Sequence, residues 1–230
     1  MYIYGTGKNI FITKNDSPVE CPEYELTMDR ETGILYINGI AIPTVEVENL
    51  VEDIQFKTAA EVTKAVAVVL NGKTISVPED TVGDGVYHVI PGGSLSINGE
   101  GIINSVGKND YSIAIWADGG RVEINGGTFT NVGAREFASA PDSDHFDLIY
   151  VKNGGYVEIN GGYFECETPR WTLNSHNTNP GTIVVKGGTF KGYNPAESYT
   201  DELPDGRPFC FVADGYKVIQ EGDLFKVVKA

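Results

Sequence analysis

Residues 118–130 read DGGRVEINGGTFT, and the paired glycines pose one question: ligand-binding loop or structural unit. Three further segments align with them: PGGSLSINGEGII (91–103), NGGYVEINGGYFE (153–165) and NPGTIVVKGGTFK (179–191). The equivalent apolar positions Ile97, Ile124, Ile159 and Val185 are 27, 35 and 26 residues apart, so a unit of about 26 residues recurs with one enlarged copy. A phosphate loop occurs once and opens a helix. Here the glycines recur and open an alternating stretch, Val122 and Ile124 against Arg121, Glu123 and Asn125, which is the pattern of a half-buried strand.

Each unit carries a second short strand before its glycines: YHVI, IAIWA and LIYVK. Counting back from the first glycine equates His88, Ile115 and Tyr150, and then Val89, Trp116 and Val151. The same count puts His176 and Asn177 in the places of Tyr150 and Val151. Such strands have one apolar face and two bare edges, so they fold only when unit stacks on unit and buries a continuous column. The expected class is therefore all-β: a right-handed parallel β-helix, a solenoid of about five coils. Leucine-rich repeats share the period but need leucines at fixed positions that are missing here.

A solenoid needs covered ends. In TAAEVTKAVAVVLNGK (58–73), Thr58 and Glu61 have capping-box spacing and Val62, Val66 and Val69 fall at helical spacing, which predicts a short N-terminal capping helix. At the other end, residues 211–230 alternate around the turn EGD and predict a capping hairpin. Residues 1–50 lack the glycine pairs and read as a small β module. The expected division is 1–50 for that module, 51–73 for junction and helix, 74–210 for the β-helix and 211–230 for the hairpin.

The balance of 17 basic against 32 acidic residues, net charge −15, argues against binding nucleic acid or an anionic membrane face. Cys21, Cys166 and Cys210 form neither a CxxC pair nor a disulfide framework. The stretch MYIYGTGKNIFITK has no signal-peptide pattern, and no run approaches the roughly 20 apolar residues of a membrane span.

The capping segment, the GG-x-V-x-I-N-GG-x-F coils and the closing ADGYKVIQEGDLFKVV together resemble the pectate-lyase-like right-handed β-helix proteins of bacteria and their tailed bacteriophages, over residues 58–230. The strand-rich N-terminal piece without a signal peptide is similar in organisation to the anchoring segments of phage head-fibre, capsid-decoration and tail-spike proteins. The resemblance implies a virion protein made in the host cytoplasm. It would attach to capsid or other virion proteins through residues 1–50, assemble as a homotrimer, and project its β-helix toward host-surface polysaccharide. The other reading is a tail-spike-like polysaccharide lyase or glycoside hydrolase. A bacterial surface adhesin is a third class, disfavoured by the lack of a signal peptide.

Chemistry, if any, should sit where the repeat is broken. The insertion GAREFASAPDSDHF (133–146) and the residue after it bring Arg135, Asp142, Asp144, His145 and Asp147 together, the acid, base and cation that a lyase or hydrolase needs. The fourth copy replaces an apolar strand with RWTLNSHNTNP, where Trp171, Asn174, His176 and Asn177 are glycan-binding candidates, or else a polar loop covering the coil. Glu123 and Glu158 occupy one position of successive coils, where they either form a solvated face or hold a cation or hydrophilic ligand. Neither P-loop, HExxH nor GxSxG occurs, and His88, His145 and His176 lack metal-ligand spacing, so no cofactor and no metal site is expected.

Overall fold

A computed structural model describes residues 2–6, 9–14, 17–18, 26–28, 35–37, 40–42, 45–78, 85–107, 112–137, 146–199 and 208–230. The chain divides into two compact units, Met1–Val45 and Glu46–Ala230. The first unit contains two three-stranded antiparallel sheets, Tyr2–Thr6 with Asn9–Lys14 and Ser17–Pro18, and Leu26–Met28 with Leu35–Ile37 and Ile40–Ile42.

The second unit is built from three parallel sheets to which the chain contributes one strand each in turn, an arrangement consistent with the expected β-helix. The first face stacks Glu46–Asn49, Ala65–Val69, Ser94–Asn98, Arg121–Ile124, Tyr156–Ile159 and Thr182–Val185. The second stacks Ile54–Gln55, Lys73–Ser76, Gly101–Asn104, Thr128–Thr130, Tyr163–Glu165 and Thr189–Lys191. The third stacks Ala60–Val62, Tyr87–Val89, Ile115–Asp118, Ile149–Lys152 and Leu173–Ser175. Five coils are thus complete and a sixth adds two strands. The long connections, 77–86, 105–114, 131–148 and 166–172, all join a strand of the second face to the next strand of the third.

Period-2 alternation turns one row of each strand inward, and parallel register aligns the rows along the axis. Leu95, Val122, Val157 and Ile183 form one column, and Val68, Ile97, Ile124, Ile159 and Val185 another. On the second face Phe129, Phe164 and Phe190 stack at centroid distances of 5.0 and 4.7 Å with planes within 10°. All three rings are fully buried. At the corner between first and second faces, Asn125 donates to Asn98 and Asn160 donates to Asn125, both at 3.0 Å.

The C-terminal hairpin is present: Tyr216–Glu221 pairs with Leu224–Lys229, and the latter pairs antiparallel with Thr189–Lys191, closing the edge of the second face. Three expectations are corrected. Residues 58–73 form no helix; Ala60–Val62, Ala65–Val69 and the start of Lys73–Ser76 are strands of the first two coils. The valines of AVAVV match both periods, and parallel pairing on both sides of Ala65–Val69 selects the extended form that β-branched residues prefer. The N-terminal module ends at Val45 instead of residue 50, because Glu46–Asn49 is the first strand of the solenoid. Finally, Trp116 rather than Ile115 aligns with His88 and Tyr150, and Asn174 and Ser175 rather than His176 and Asn177 take the places of Tyr150 and Val151. The corner Ala117–Gly120 is one residue shorter than Val89–Gly93 and Val151–Gly155, so counting back from the glycines slips the register by one, which turns a side chain to the opposite face.

Candidate functional site

The outer row of the third face runs His88, Trp116, Tyr150, Asn174. His88 stacks on Trp116 at 4.0 Å with planes 10° apart, and the Lys152 ammonium, from the next coil, lies 4.3 Å from the centre of the same ring. Both indole faces are therefore occupied from within the solenoid. Asp118 ties this row together, 3.3 Å from His88 Nε2 and 3.8 Å from Lys152 Nζ, and it accepts from Asn153, which accepts from Asn179. Tyr150 carries the row on to His176, centroids 6.4 Å apart.

There the row meets a pocket of about 310 Å³ lined by Ser175, His176, Asn177, Pro180, Gly181, Phe209 and Phe211. The turn holding His176 is closed by its own side chain: Nδ1 accepts the N–H of Asn179 at 3.0 Å and that of Thr178 at 3.3 Å. A ring nitrogen that accepts carries no proton, so the ring N–H is on Nε2. Asn177 Oδ1 accepts the Thr178 N–H at 2.6 Å, which leaves its amide N–H groups on the rim. Phe209 and Phe211 come from the far end of the last excursion. The Phe211 carbonyl accepts from Val185 N at 2.8 Å and Val212 bridges Val185, which clips this segment to the sixth coil. The two rings are 6.1 Å apart and 18° from parallel.

The expected glycan set divides. His176 and Asn177 line the pocket. Asn174 instead donates to Asp147 at 2.9 Å, and half-buried Trp171 sits in the 3-10 turn Pro169–Trp171 with Arg170 5.7 Å from its ring. Phe209 and Phe211 were not anticipated; their only signal is a PF-F pattern in an excursion some 30 residues downstream.

Of the catalytic candidates, Asp142, Asp144 and His145 lie outside the described residues. Asp147 is 2% exposed and ties the end of the excursion to the polar strand through Asn174. Arg135, in the helical turn Ala134–Phe137, is paired with Glu167 at 3.3 Å, and Glu167 also accepts the Gly133 N–H at 2.9 Å. These contacts bind the excursion to the next coil. Neighbouring Cys166 donates to the Phe146 carbonyl at 2.8 Å, and burial pushes its thiol up to about 12, so it stays protonated and inert.

Glu123 and Glu158 are adjacent in register, as expected. Glu158 is held by Lys186 at 2.9 Å and by Tyr156 Oη at 3.0 Å, and the Lys186 hydrogen bond keeps its carboxyl below the usual range. Glu165 is likewise paired with Lys191 at 2.7 Å. A lysine balances Glu158 and Glu165, while Glu123 accepts from Asn160 at 3.4 Å. Among the described residues no group of three or more His, Cys, Asp or Glu side chains is placed to hold a metal, and no helix is long and apolar enough to cross a membrane. No family model, curated protein or solved structure matches the chain.

Proposed function

We propose that this chain is a non-catalytic structural protein of a bacteriophage particle, of the head-fibre or capsid-decoration kind, that displays a right-handed parallel β-helix for adhesion to host-surface glycan. Its N-terminal unit would hold it to a capsid or other virion protein, and three copies would pack side by side. The observation that carries this reading is the asymmetry of the solenoid's ends. One end is closed by the hairpin Tyr216–Lys229, whereas the strands Glu46–Asn49, Ile54–Gln55 and Ala60–Val62 are terminal in their sheets, next in sequence to the separate unit Met1–Val45. A stem attached at one end and capped at the other fits display.

Two further observations support it. Half-buried carboxylates of the solenoid, Glu158 and Glu165, are tied into cross-coil ion pairs, an arrangement that serves rigidity. The pocket of His176 and Asn177 lies at the capped end, where a displayed stem would meet another surface. Purified particles should contain the protein at a fixed stoichiometry, and chain lacking residues 1–45 should not associate with them. Absence from particles would sink the reading, as would release of unsaturated or reducing sugar from host capsule by the purified protein.

A further inference from the structure

We infer that the pocket formed by His176, Asn177, Pro180, Phe209 and Phe211 is a site for one neutral N-acetylated sugar, an N-acetylhexosamine residue. The inference rests on the glycan-adhesion part of the reading above and assigns its site and ligand class.

Four features specify the ligand. First, about 310 Å³ lies at the small end of the usual range for ligand pockets, roughly 300–1,000 Å³, and suits a single sugar ring. Second, in a chain of net charge −15, among the described residues no charged side chain lines this pocket, so neither a uronate nor a protonated amine finds a counter-ion among them. Third, the rim offers hydrogen-bond donors. The turn consumes His176 Nδ1 and Asn177 Oδ1 as acceptors, and the Ser175 hydroxyl donates to the Gly181 carbonyl at 2.9 Å. The contacts of the turn do not use the His176 Nε2–H or the Asn177 amide N–H, and both require an oxygen acceptor. Fourth, Phe209 and Phe211 supply an apolar surface beside those donors, and Phe209 remains 37% exposed.

An acetamido group meets these demands together. Its carbonyl oxygen accepts from the two N–H donors, and its methyl packs on the phenylalanine rings, while the C–H face of the pyranose covers the rest. A simple hexose presents hydroxyls but no methyl. A hexuronate presents an acceptor whose charge is left unpaired.

The test uses the full chain and ligand-observed NMR with N-acetylglucosamine, N-acetylgalactosamine, glucose and glucuronate. At least one of the two N-acetylated sugars should show saturation transfer strongest at the acetyl methyl, with an affinity at least tenfold above glucose and glucuronate. Asn177→Asp keeps the oxygen that accepts from Thr178 but replaces the rim N–H groups with a carboxylate; it should weaken N-acetylated sugars at least tenfold without changing the melting temperature. Phe209→Ala should do the same. Equal binding of glucose, preference for glucuronate, absence of binding by both N-acetylated sugars, or indifference to both substitutions would overturn the inference. Particle association is measured separately, so a chain that sits in virions yet ignores N-acetylated sugars defeats this inference alone.

Discussion

The two glycines of a corner do different jobs. Gly154 has φ of +74° with nothing within 4 Å of an added Cβ, whereas a Cβ on Gly155 would lie 2.3 Å from the carbonyl oxygen of Ala117 on the coil below. The first glycine serves backbone conformation and the second serves close approach. Gly154→Asn should therefore hold stability within about 0.5 kcal/mol, since Asn tolerates the left-handed region, and Gly155→Ala should lose about 3 kcal/mol from overpacking; urea denaturation distinguishes them. In the phenylalanine column, Phe164→Ala removes a fully buried ring that touches two others, and a loss of about 3–5 kcal/mol is expected by the same measurement. Paired glycines and the Phe after them were legible in the sequence because both recur. The division of labour within a pair was not, because it depends on which carbonyl lies on the coil below.

Between elements, what the sequence leaves open is the length of each corner. One residue fewer at Ala117–Gly120 decides that Trp116 faces outward and stacks with His88 while Ile115 is fully buried. Hydrophobic period alone also leaves 58–73 undecided, because spacing of four suits a helix and also an even count along a strand. Only the neighbouring strands resolve it. Electrostatic pairing between coils carries its own signature. Lys186 depresses the Glu158 carboxyl, so the pair contributes stability above the ordinary glutamate range and loses it as pH falls through the depressed value. Glu158 in turn raises the Lys186 ammonium, so the contribution persists below the ordinary lysine range and fades as pH rises through the raised value. Glu158→Gln should flatten the acid limb of the melting-temperature profile and leave wild-type shape at neutral pH; an unchanged acid limb would show that the pair is too well solvated to matter.

At the scale of the molecule, the repeat announced the stacked architecture and the terminal hairpin, and the break in the repeat pointed to His176 and Asn177. The apolar half of the pocket stayed hidden, because Phe209 and Phe211 reach it from the far side of an excursion and are brought there by backbone bonds to Val185 and Pro195 and by pairing with Ser198. The division at Val45 predicts that residues 46–230 alone unfold cooperatively with the β-sheet circular dichroism of the stacked coils intact, and the proposed attachment through the N-terminal unit adds that this fragment would not associate with particles. A chain that collapses on this truncation would show that the solenoid's first coil depends on the N-terminal unit.

Stacked parallel strands also set a unit of length. Each coil adds about 4.8 Å along the axis, so the sixth coil stands about 24 Å from the first. Copies can be duplicated or deleted between the first coil and the last without altering either. On the proposed display reading, the distance at which such a stem would hold its tip is adjustable in fixed increments of one coil.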